Sequence, residues 1–139
     1  MKRSFVFSIS IMFFLAIAAC SMGKGPAADC DPHADSCTKS AGEYVVTLDI
    51  MPKPVVHMKE LAFDVSFEGK SPEADILVLD LSMPGMEMGK NRVELEKSMD
   101  SHYRGTGIIV RCASGKTLWR ATLLLSDTLK PAFTFNVRE

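Results

Sequence analysis

The 139-residue chain has little that would carry catalysis. No serine sits in a nucleophile elbow, no acid pair falls in a recognisable frame, and no glycine-rich phosphate loop precedes a helix, so no enzyme activity is expected. Cysteine is scarce, with four in the whole sequence, and Cys30 and Cys37 stand too far apart for the two-residue thioredoxin spacing. Histidine is scarcer, with three. The longest apolar run, Phe5 to Ala19, is broken only by Ser8 and Ser10. At roughly 15 residues it falls short of the roughly 20 that a membrane-spanning helix needs. The sequence shows no internal repeat.

What is present begins with that run. Lys2 and Arg3 precede it, which gives the charged start and apolar middle of a secretion signal over residues 1–19. Ile17-Ala18-Ala19-Cys20 resembles the bacterial lipobox, and the resemblance implies cleavage before Cys20 and acylation of its sulfur. Acyl chains at about 0.8 kcal/mol per buried methylene would hold the protein on a membrane without a spanning helix. Ser21, in place of Asp, favours the outer membrane in a cell that has one, by resemblance to lipoprotein sorting signals, with the domain facing the periplasm or the extracellular space. Removing residues 1–19 leaves 14 Lys and Arg against 17 Asp and Glu, a balance that predicts no nucleic-acid partner. About 120 mature residues suffice for one domain with a modest core.

With Cys20 acylated, Cys30, Cys37 and Cys112 remain. Cys30 and Cys37 are close enough in sequence for a local disulfide, which suits an oxidising compartment. A second reading of Cys30-Asp31-Pro32-His33-Ala34-Asp35-Ser36-Cys37 makes the two thiols and His33 metal ligands. Cys112 is then left over and reads as a small buried hydrophobe. Residues 20–42 are rich in Gly, Pro, Ala, Asp and Ser without apolar periodicity, and read as a flexible tether.

From residue 43 onward the apolar period is two. Tyr44, Val46, Leu48 and Ile50 alternate with polar neighbours. So do Leu61, Phe63, Val65 and Phe67, and after them Leu77, Leu79, Leu81 and Met83. Residues 91–100 alternate less clearly: Val93 and Leu95 favour a strand, while Glu94, Glu96 and Lys97 would also suit a helix. Gly105 and Gly107 lie inside the next one, where missing side chains suggest a bulge or a close crossing of backbones. Trp119, Ala121, Leu123 and Leu125 share a face, and Phe133, Phe135 and Val137 close the pattern. About seven antiparallel strands with frequent turn signals predict an all-β, immunoglobulin-like sandwich over residues 43–139, with Trp119 as its core plug.

One stretch invites a chemical reading: Met83-Pro84-Gly85-Met86-Glu87-Met88-Gly89 at the end of a strand. Thioether sulfur is soft, suits monovalent copper and carries no proton for the metal to displace. Pro84 and Gly85 bend the chain, so Met83, Met86 and Met88 are candidate ligands, with His57 and His102 as imidazole candidates. Methionine also fills irregular core gaps, so the same turn can serve as packing alone.

Tyr44-Val45-Val46-Thr47-Leu48 with Pro52 and Pro54, the methionine turn, His102-Tyr103-Arg104-Gly105-Thr106-Gly107, and Gly115 with Trp119 together resemble the YtkA-like domain. That family is similar in organisation to FixH-type proteins, which are linked to copper delivery and cytochrome oxidase assembly. The resemblance covers about residues 43–138. It implies a β-sandwich, supports Met83, Met86 and Met88 as a copper site, and makes Tyr103, Gly105, Gly107 and Trp119 fold-making positions. Glu87 departs from the small residue that many relatives carry there, and a lipid on Cys20 replaces the spanning helix of FixH. Two functions follow as expectations. One is a copper(I)-binding lipoprotein that passes its cargo to a protein partner as a metallochaperone. The other is a metal-free Ig-like interaction module in the assembly of an envelope or respiratory complex.

Overall fold

A computed structural model describes residues 25–139. The signal segment 1–19 and the lipidation site Cys20 lie outside the described residues. Within them the chain is all-β, with no helix. Eight strands are present: β1 (Cys37–Ala41), β2 (Tyr44–Met51), β3 (Glu60–Glu68), β4 (Ile76–Ser82), β5 (Arg92–Met99), β6 (His102–Ile108), β7 (Leu118–Leu124) and β8 (Ala132–Asn136). They form one antiparallel sheet in the order β1-β2-β3-β6-β5-β4-β7-β8. The order interchanges β4 and β6, so long connections cross the ends of the sheet. The curled sheet encloses a single core.

Alternation produces that core directly. Val46, Leu48 and Ile50 of β2, Leu61, Phe63 and Val65 of β3, Leu79 and Leu81 of β4, and Ala121 and Leu123 of β7 are all buried. Each would stabilise the fold by about 1.5–3 kcal/mol if a large aliphatic side chain is taken fully from water. Trp119 is fully buried among them, as the sequence predicts for a core plug. Tyr103 is buried too, and its hydroxyl lies 2.8 Å from the carbonyl oxygens of both Pro72 and Ala74. That contact fastens the β3–β4 connection to β6.

The close crossing expected at Gly105 and Gly107 is present. A Cβ on Gly105 would stand 2.1 Å from the Glu94 carbonyl oxygen, and one on Gly107 would stand 2.5 Å from a Val93 methyl. Pairing of β5 with β6 runs from Met99–His102 to Glu96–Arg104 and shifts register between Lys97 and Met99. Beyond Arg104 the two backbones pass at a distance that only glycine permits.

The tether is shorter than the sequence suggests. Cys37–Ala41 pairs with β2 from Cys37↔Leu48 to Ala41↔Tyr44, an eighth strand inside the stretch assigned to a linker. Its residues are polar because it buries only Cys37, and its place comes from pairing rather than from an apolar face. Upstream, the amides of Asp29 and Cys30 donate to the Thr134 carbonyl at 2.8 and 3.3 Å, and the Asp29 carboxylate accepts from the Thr134 amide. Lys39 of β1 pairs with Asp29 and donates to the Ala132 carbonyl at 2.5 Å. Residues 29–30 thereby lie along β8 and link it toward β1, so contacts with the sheet extend well upstream of residue 43.

Candidate functional site

The strand directions sort the candidate residues between two ends of the domain. β4 runs into the methionine turn and β5 leaves it, with Asp80 opposite Arg92. β6 arrives at the same end, where Asn91 donates to the Ile108 carbonyl, and β3 departs from it, with Glu60 opposite Ile108. His57, just ahead of β3, therefore shares this end with Met83, Met86 and Met88. His102 opens β6 opposite Ser66 and stands at the other end, its Nδ1 3.6 Å from an Asp64 oxygen that belongs to a pair with Arg104. The structure does not bring His102 to the methionines. The hairpin between β5 and β6 reverses the chain and carries it away.

Within the methionine end, Met86 is the hub. Its amide donates to the Met83 carbonyl at 3.1 Å, closing the turn around Pro84 and Gly85. Gly85 has φ +76°, a left-handed conformation that favours glycine. Met83 is buried, as its place in the alternation predicts, while Met86 and Met88 are half-buried and pack against the core. Met86 and Met88 also line one shallow groove with Asp80, Ser82 and Arg92. Glu87, between them, is exposed.

A residue outside the sequence-derived ligand set reaches Met86, whereas Met83 lines a separate depression from Met86 and Met88. The Cys112 sulfur lies 3.8 Å from the Met86 sulfur and 2.9 Å from the Ser114 hydroxyl. Cys112 is the free cysteine among the described residues and is largely covered. The Ser114 hydroxyl holds its thiol below the ordinary cysteine value, helped by backbone amides of Ser114 and Lys116 and by the Lys116 charge, against the opposing effect of burial. A thiol so placed reaches its metal-binding thiolate form more easily.

His57 is the second unusual group at this end. It is only 6% exposed, neither ring nitrogen has a hydrogen-bond partner, and its ring centroid lies 6.4 Å from that of Trp119. Burial lowers its pKa below the ordinary histidine value, and the Arg111 charge adds to this; Glu139 and the Arg138 backbone oppose it. A neutral imidazole with free nitrogens is the form that binds metal. Trp119 follows in the chain from the Met83 end of β4 as well, since its neighbour Arg120 pairs with Ser82.

No protein family, curated protein or solved structure matches the chain. The site therefore stands on its own chemistry. Among the described residues no cluster of three or more His, Cys, Asp or Glu side chains is placed to hold a metal ion. Any metal at this end would thus depend on thioether sulfur, which selects for soft ions.

Cys30 and Cys37 are joined as a disulfide. Between them, His33 Nε2 lies 2.9 Å from the Asn136 carbonyl and Nδ1 accepts the Val55 amide at 3.0 Å. Both thiols and both ring nitrogens are engaged, so the reading of this loop as a metal site is set aside in favour of a structural clasp. Cys112 was not legible as a member of the site because its contact with Met86 spans 26 residues. Its only local signal is a following Ser-Gly turn.

Proposed function

We propose that the protein is a lipid-anchored envelope domain that binds monovalent copper at its methionine end and hands it to a protein partner. The reading is carried by the approach of two sulfurs from separate connections, Met86 from the β4–β5 turn and Cys112 from the β6–β7 loop, at 3.8 Å. Met83 and Met88 flank Met86 on the same turn. A thiolate with thioethers makes a soft donor set of low coordination number, suited to copper(I) as cargo and to its release by stepwise ligand exchange. His57 supplies a neutral nitrogen donor at the same end. The residues that resemble a YtkA-like domain are consistent with this assignment.

Anaerobic competition of the mature protein against a chromophoric copper(I) chelator tests it. One equivalent of tight binding is expected for the natural sequence. Its loss is expected when Met83, Met86 and Met88 are replaced together by Leu, a change that nearly conserves volume. Equal binding by both would remove the site.

The burial of Met83 and the packing of Met86 and Met88 against the core favour a second reading, in which the turn is a hydrophobic cover and the domain a metal-free interaction module. That reading expects no copper binding by either form and a stability penalty at Met83 alone.

A further inference from the structure

The N-terminal segment meets the domain at its methionine end. Residues 29 and 30 run beside Thr134 in the middle of β8, and from there the preceding chain climbs toward the methionine end. Pro26 lies against Met83, Pro84 and the Gly115–Leu118 loop, in the same shallow depression. Six residue steps separate Pro26 from Cys20. Fully extended they reach about 20 Å.

We propose that the methionine end of the domain faces the bilayer and rests on its headgroup surface. The proposal relies on the reading of Cys20 as the acylated anchor. A leash of about 20 Å starting beside Met83 cannot bring the opposite end to the membrane, because the nine residues of β3 alone span about 30 Å between the two ends.

The surface presented by this orientation suits a bilayer interface. Met58 is 63% exposed, Ile108 46% and Val110 38%, and they are neighbours: the Met58 amide donates to the Ile109 carbonyl, between the other two. Exposed Lys59, Lys90, Arg111, Lys116 and Arg138 surround them at the same end. Glu60, Glu87 and Glu139 lie among them at this end, as do Asp31 and Asp35 on the disulfide loop, so the charges nearly balance. The orientation therefore rests on the short leash and on the exposed apolar side chains of Met58, Ile108 and Val110, not on net charge. The copper ligands would then open toward the membrane, which directs exchange to a partner embedded in it.

Two methionines make natural reporters. Met58 at the membrane-facing end and Met99 at the far end are 63% and 66% exposed. The full mature chain, acylated and reconstituted on phosphatidylethanolamine and phosphatidylglycerol vesicles with nitroxide-labelled headgroups, would be observed through 13C-methyl methionine resonances. Several-fold stronger paramagnetic broadening is expected at Met58 than at Met99. Equal broadening, or stronger broadening at Met99, would overturn the orientation while leaving the anchor intact. Intact mass on the same sample separates the two ideas: a mature chain without acyl groups on Cys20 would overturn the anchor and the orientation with it.

Discussion

The Cys112 sulfur sits 3.8 Å from the Met86 sulfur although the two residues belong to different connections. The contact gives a direct test of the soft-metal end. Silver(I), a redox-stable analogue of copper(I), is expected to slow alkylation of Cys112 by iodoacetamide, and the protection is expected to disappear in the Met83, Met86 and Met88 to Leu variant. Mass spectrometry of the labelled chain provides the readout. Protection that survives the triple substitution would assign the cysteine to some other ligand set.

His57 makes stability depend on pH. Burial lowers its folded-state pKa below the unfolded value of about 6.5, so the unfolded chain binds the extra proton first as pH falls. The contribution is complete above that value and is lost as pH drops through the interval below it. In His57→Leu this part of the pH profile is expected to flatten. Denaturation midpoints between pH 7.5 and 5 measure it, and an unchanged slope would mean that another group governs this range.

Gly105→Ala places a methyl within 2.1 Å of the Glu94 carbonyl carbon's oxygen, where rigid backbone stands on both sides. Overpacking of this kind costs about 1–3 kcal/mol, at the upper end here because neither strand can yield alone. A lowered denaturation midpoint is the expected outcome. Full stability would show that the crossing of β5 and β6 is looser than described.

Tyr103→Phe removes one hydroxyl and leaves the Pro72 and Ala74 carbonyls without that donor. A loss of about 1–2 kcal/mol is expected, with the denaturant slope unchanged, because the core volume is kept. Amide exchange in residues 69–75 should accelerate more than in β2 or β7.

The strands with an apolar face were legible from period-two alternation, and Tyr44–Met51, Glu60–Glu68 and Leu118–Leu124 fall where Val46, Phe63 and Trp119 require them. The glycine signal at Gly105 was legible for the same reason, since only a close backbone explains two bare positions in one strand. Cys37–Ala41 was not, because Thr38, Lys39 and Ser40 carry no apolar pattern and the strand exists through its neighbour β2. The sheet order was equally hidden: β3 pairs with β6 across two intervening strands. That order decides which candidates share an end, placing His57 at the end of the methionine turn and His102 at the far one.

A sheet with two open borders offers backbone amides and carbonyls to any passing strand, which is how edge-to-edge aggregation starts. Here Asp29 and Cys30 occupy the outer border of β8, and the disulfide and His33 hold the segment that delivers them. The clasp therefore covers a sheet edge as well as holding the N-terminal segment in place. A chain trimmed to residue 43, where its apolar pattern begins, would keep most of its core and yet lose the guard that stops its copies from joining into a continuous sheet.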